Sequence, residues 1–187
     1  MYVIARLVAP REKRYNRAMR TVSERFQLPC DCETFWRVFL DETYMRALFL
    51  DELKFKELTI LERTDSTRKI RAVPSMNLPA VLEKLVGDSF AYEEHGTLDR
   101  AKNLWTWRMV QPQKSDGKSK KELVSTRGTI RVAPAGEGKC QRTDEAEVEG
   151  KIFGLGGIIE GTVEKEMRSV WAKELAFLTR WLETHKS

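Results

Sequence analysis

Near the carboxyl end of the chain, Val163, Met167, Val170, Trp171, Leu175, Leu178 and Leu182 recur every three or four positions. That is the period of one face of an α-helix. The pattern runs for about 25 residues, well past an average helix. Phe177 and Trp181 widen the apolar face beyond what a single sheet surface covers, so the helix is expected to be gripped by something concave. The alternative is a helix lying on a membrane surface.

What precedes the helix has to supply that concave surface. Residues 19–28 alternate, with Val22, Glu24, Phe26 and Leu28 on one side, as in a strand. Asp31 then stands where a helix starting at Cys32 needs a side-chain acceptor for its free amides. Phe35, Val38 and Phe39 give that helix an apolar side, and a second short helix is expected over 42–50. Residues 55–63 and 67–73, joined by Thr64-Asp65-Ser66, read as a hairpin. A short helix or folded loop is expected over 74–86, between Pro79 and Gly87. Four further strands, 90–98, 104–110, 124–133 and 140–153, complete an antiparallel meander. Residues 111–121, rich in Lys, Ser, Gln and Gly, suit an exposed loop. On 124–132 the sides separate into Val124, Thr126, Gly128, Ile130 and Val132 against Arg127 and Arg131. Glu145, Glu147 and Glu149 on the next strand can meet those arginines across the pair as surface charges.

With 187 residues, 41% of them hydrophobic and 33% charged, the chain can bury one core. No apolar run approaches the roughly 20 residues needed to span a bilayer. The net charge of +5 would suggest nucleic acid if it were spread over the fold. Instead Arg6, Arg11, Lys13, Arg14, Arg17 and Arg20, against Glu12, carry all of it within the first 20 residues. A neutral body is not a phosphate-binding face, and no nucleic-acid partner is expected. Residues 1–18 are read as a basic extension preceding a domain at 19–187. The extension is either disordered, or upstream of a true start at Met19, or a peripheral membrane contact.

Cys30, Cys32 and Cys140 are odd in number, which does not suit a disulfide-stapled secreted domain and makes a reducing cytoplasm the simpler setting. With only His95 and His185 to add, no metal site is expected. The chain has no nucleophile elbow, phosphate loop or zinc-protease helix. Gly154-Leu155-Gly156-Gly157 reads as a strand-to-helix joint and not as a dinucleotide fingerprint. No catalytic residue and no cofactor are assigned.

Aromatic placement stands out. Trp105, Trp107 and Met109 share one side of a strand, and Phe90 and Tyr92 on the preceding strand can join them. They form either a dry core or the wall of a ligand cavity. Glu94 falls on the side of Phe90 and Tyr92, where burial would raise its proton affinity. The plainer expectation is that this end of the strand twists into solvent. His95 is read as structural or exposed.

The order of strand, two short helices, antiparallel meander and long final helix resembles the START-like (SRPBCC) superfamily of lipid-transfer, pollen-allergen and polyketide-cyclase relatives. Residues 26–41 with Phe35-Trp36, 79–87 with Leu85-Val86-Gly87, 104–108, and Gly157-Ile158-Ile159-Glu160 look like one uncharacterised bacterial branch of it. The resemblance implies an α+β helix-grip fold, a curved antiparallel sheet around the final helix with a cavity between them. It implies ligands such as sterols, phospholipids, polyketides or plant hormones, and no catalytic set of the superfamily matches residues here. Together these readings lead to binding or transfer of a hydrophobic small molecule. Phe90, Tyr92, Trp105, Trp107, Val163, Met167 and Trp171 are the expected wall. A cyclase- or hydrolase-type enzyme using the same pocket and a protein-interaction module are the alternatives.

Overall fold

A computed structural model describes residues 19–76, 78–86, 90–112 and 122–185. The basic extension, Gly87 and most of the expected 111–121 loop lie outside the described residues.

Seven strands make one antiparallel sheet: β1 (Arg20–Leu28), β2 (Glu57–Arg63), β3 (Thr67–Val73), β4 (Tyr92–Asp99), β5 (Leu104–Val110), β6 (Val124–Pro134) and β7 (Cys140–Gly150). Their order is β1-β7-β6-β5-β4-β3-β2. Strands two to seven are a meander, and β1 adds itself beyond β7. Between β1 and β2 run α1 (Cys32–Phe39), α2 (Glu42–Arg46) and a π-type segment, Ala47–Glu52. α3 (Ala80–Val86) links β3 to β4, and α4 (Gly156–Thr184) closes the chain over β7 and β1. This is the expected α+β helix-grip architecture.

Local chemistry explains the starts. Asp31 accepts from the Thr34 amide at 2.7 Å and Asp41 from the Tyr44 amide at 2.8 Å, so both short helices open on an aspartate cap. The second helix was expected as one α-helix over 42–50 but turns π-type at Ala47. There its last turns carry Leu48 and Phe49 into the core. β4 begins at Tyr92 and β7 ends at Gly150, both shorter than expected. Phe90 therefore precedes its strand, and Phe153 lies outside the sheet with 94% of its surface exposed.

The final helix is gripped from more than the sheet. Phe177 and Trp181 meet Tyr44 of α2 at ring-centroid distances of 5.5 and 5.4 Å, which accounts for the width of its apolar face. Across the sheet, α1 packs Phe39 edge-on against Trp105 at 5.3 Å. Trp36 donates to Asn103 Oδ1 at 3.0 Å, tying α1 to the β4–β5 turn.

Two glycines shape the floor of the sheet. A Cβ at Gly96 would run into the Trp105 ring, and one at Gly128 would come within 2.7 Å of Trp107. Each tryptophan thus lies over a glycine of a neighbouring strand. Gly96→Ala should destabilise the fold by about 1–3 kcal/mol through overpacking. Gly161→Ala, in α4 with only Arg20 Nη1 within reach at 3.5 Å, should instead stabilise it by about 0.5–1 kcal/mol. Urea titrations of the two variants measure both; equal effects would contradict the packing described.

Candidate functional site

Alternation along each strand sends one set of side chains to the concave face under α4. From β4 these are Tyr92 and Glu94, from β5 Trp105, Trp107 and Met109, from β6 Val124, Thr126 and Ile130, and from β7 Arg142. α4 contributes Val163, Met167, Val170, Trp171 and Glu174. Between them, with α2 and the π-type segment, lies a cavity of about 200 Å³. All seven residues expected as a wall, Phe90, Tyr92, Trp105, Trp107, Val163, Met167 and Trp171, line it. Trp105 and Trp107 are 0% and 6% exposed, so they belong to the core and to the cavity wall together.

Glu94 departs from the expectation of a solvated strand end: it is 9% exposed and lines the cavity. The reason is a partner that sequence reasoning missed. Arg68, on the same inward face of β3 as Ile70 and Ala72, meets Glu94 Oε1 at 2.5 Å. It also donates to the Phe39 carbonyl at 3.3 Å and stacks over the Phe39 ring at 4.3 Å. A buried carboxylate paired and bonded in this way is tolerated where an isolated one would not be. His95 points to the outer face, where it meets Glu93 at 3.1 Å.

A second buried cluster was also missed. Arg142 bonds Asp144 through Nε and Nη2, both at 2.8 Å, and Glu174 of α4 through Nη1 at 2.7 Å and Nη2 at 3.0 Å. Both carboxylates engage one guanidinium fork. Burial raises the Asp144 carboxyl above its ordinary range, and Arg142 offsets this only in part. The signal was present in the sequence. Arg142 and Asp144 are in phase with Ala146 and Val148, and Glu174 sits within the stripe Trp171, Leu175, Leu178.

Tyr44 Oη, Arg68 Nε and Trp105 Nε1 are buried without a hydrogen-bond partner. Burial, with Glu94 beside it, pushes the Tyr92 phenol well above its ordinary range; burial, with Glu174 nearby, does the same for Tyr44. Both remain protonated donors at neutral pH.

The outer face of the sheet carries a larger, open groove of about 740 Å³, lined by Lys69, His95, Thr97, Thr106, Arg108 and Arg127 among others. Its charges are solvated, as in the exposed pair Arg127–Glu147 at 2.6 Å, and it cannot desolvate an apolar molecule. The inner cavity can. Cys30, Cys32 and Cys140 are free thiols at the β1 end. Among the described residues no group of three or more His, Cys, Asp or Glu is placed to hold a metal ion, and no helix is long and apolar enough to cross a membrane.

The chain belongs to the family described as a protein of unknown function, DUF2505, whose model matches residues 23–182. A search of curated proteins finds no match. Among solved structures it is similar to norcoclaurine synthase from Thalictrum flavum, in complex with dopamine and hydroxybenzaldehyde, with a TM-score of 0.64 and 17% identity over 98% of this chain and 99% of that one. It is similar to the Zhui aromatase/cyclase from Streptomyces sp. R1128, with a TM-score of 0.60 and 15% identity over 88% and 94% of the two chains. A START superfamily protein from Mycobacterium smegmatis matches with a TM-score of 0.57 and 17% identity over 87% and 98%. These likenesses establish the START-like fold.

Replacing Arg142 with Met strands two buried carboxylates and should cost about 3–5 kcal/mol in urea unfolding; a loss below 1 kcal/mol would deny the network its place in the fold. Because its folded state holds the Asp144 proton more tightly, the protein loses stability from this residue as pH rises from the ordinary aspartate range through the raised value. The stability of the wild type minus that of Asp144→Asn should therefore fall over that window, and a difference that rises instead would reverse the assigned direction.

Proposed function

We propose that the protein binds or transfers a hydrophobic small molecule, of lipid, sterol or polyketide-like character, in the cavity between the sheet and α4. The observation that carries this reading is the cavity itself. Close-packed interiors hold few voids larger than a water molecule, yet here about 200 Å³ stays open beneath an apolar lid of Val163, Met167, Val170 and Trp171. Fold neighbours that act on or hold small organic molecules support it, as their names state.

A second reading, a cyclase- or hydrolase-type enzyme using the same pocket, is favoured by one observation: Glu94 sits in the cavity and spends only one oxygen on Arg68. The interaction-module reading asks for a filled core, and the cavity counts against it. Membrane contact through the basic extension concerns residues outside the described set.

Native mass spectrometry of protein purified from its own host, followed by organic extraction, tests the proposal. A defined co-purifying molecule is expected, and its return unchanged after incubation distinguishes carrier from enzyme. Trp107→Ala should weaken its binding about tenfold or more while retaining cooperative unfolding. A protein that carries nothing and whose tryptophans no apolar probe quenches would sink the reading.

A further inference from the structure

The cavity's charge balance narrows what it can hold, an argument that rests on the binding reading above. Two arginines line it, and both are committed. Arg68 is paired with Glu94, and Arg142 is held by two carboxylates at once. The interior therefore offers no spare positive charge. A carboxylate or phosphate drawn into this space would lose its hydration and meet no unpaired cation. Lys173, on the same lining, is exposed to solvent.

What the interior does offer is hydrogen-bonding groups for a neutral polar head. Glu94 Oε2, the Tyr92 hydroxyl and the Thr126 hydroxyl have no hydrogen-bond partner among the described residues, although all three residues are buried. Glu94 and Thr126 stand in one cross-strand row, either side of Met109, and Tyr92 is two residues before Glu94 on the same strand face. A carboxylate oxygen needs a donor, while the two hydroxyls can give as well as accept. One group satisfies both demands: a hydroxyl, which donates to Glu94 and accepts from Tyr92 or Thr126.

Size sets the rest. A space of about 200 Å³ somewhat exceeds a cavity of about 150 Å³ that takes up benzene, and so has room for a compact ring compound. A phospholipid is far larger. The walls facing this volume are flat and aromatic or flexible and apolar: Trp107, Trp171, Phe90, Met109 and Met167.

We propose that the cavity selects a small, uncharged, hydroxyl-bearing ring compound, a phenol or cyclic alcohol, its hydroxyl set between Glu94, Tyr92 and Thr126, and that it rejects carboxylate and phosphate head groups.

Three probes of nearly one shape test this in calorimetric titrations of the full chain: 2-naphthol, naphthalene and 2-naphthoate. The hydroxyl compound is expected to bind about tenfold or more tightly than either of the others, as suits a hydrogen bond to a charged acceptor. Tyr92→Phe and Thr126→Val, which remove a hydroxyl and leave no buried charge unpaired, should together erode the preference of 2-naphthol over naphthalene while leaving naphthalene binding in place. Glu94→Gln should abolish that preference; if its loss of the Arg68 pair prevents folding, the two hydroxyl variants still decide. Equal affinity for 2-naphthol and naphthalene would overturn the hydroxyl assignment and leave the hydrophobic cavity standing. Tightest binding by 2-naphthoate would overturn the charge argument and point to Lys173. Binding of none of the three would overturn the cavity reading together with this one.

Discussion

Everything above the sheet depends on how α4 is held, and its deepest polar tether is the Arg142 fork. A helix laid on a sheet by apolar contact alone slides toward the closest packing, which would fill the space between them. The Arg142 guanidinium instead reaches from β7 to Glu174 with its bonds at 2.7 and 3.0 Å while Asp144 holds its other edge. Removing three charges from water is expensive, and a hydrophobic replacement of the set could be as stable. What the charges add is a fixed separation. The fork bonds only at one spacing of helix and strand, and Arg142 and Glu174 line the cavity at that spacing.

The floor obeys a related constraint. Trp105 and Trp107 are too large to stand upright on a curved sheet without filling the space above it. Gly96 and Gly128 let the rings lie over neighbouring strands, so bulk that would close the cavity becomes its lining. Trp105 then meets Phe39 of α1 edge-on, and the Arg68 guanidinium lies 5.2 Å from its ring centre. Aromatic packing, the first ion pair and the glycine notches are thus one assembly, and a change in any of them should be felt at the others.

Period and capping made most of the fold legible. β3, β5 and the start of α1 coincide with their expected bounds because turn residues and Asp31 mark them locally. The π-type turn at Ala47 was hidden, since it is set by where Leu48 and Phe49 must land and by nothing in its own composition. The expected wall came from alternation on the strands and helical phase on α4, and its seven residues line one cavity. The charged interior was not. A lone Glu94 reads as surface until Arg68, 26 positions earlier, is placed beside it by the β3–β4 register, and that register follows from the tertiary fold. His95, one residue on, faces the opposite side for the simplest of reasons, the two-residue period of a strand.

The distribution of polarity through the cavity also bears on how any occupant must lie. Tyr44, Arg68 and Glu94 are buried almost completely, whereas Phe90, Met109, Val163 and Val170 are partly buried against the core. The wall is mixed at every depth, since Trp105, Trp107, Met167 and Trp171 are as well covered as Arg68 and Glu94, and Lys173 stands exposed on the same lining. Polar and apolar atoms are presented side by side, as the cross-strand row Glu94, Met109 and Thr126 shows. Tyr44 Oη and Trp105 Nε1 are buried without a partner, a cost of about 1–3 kcal/mol each that the fold carries beside its cavity.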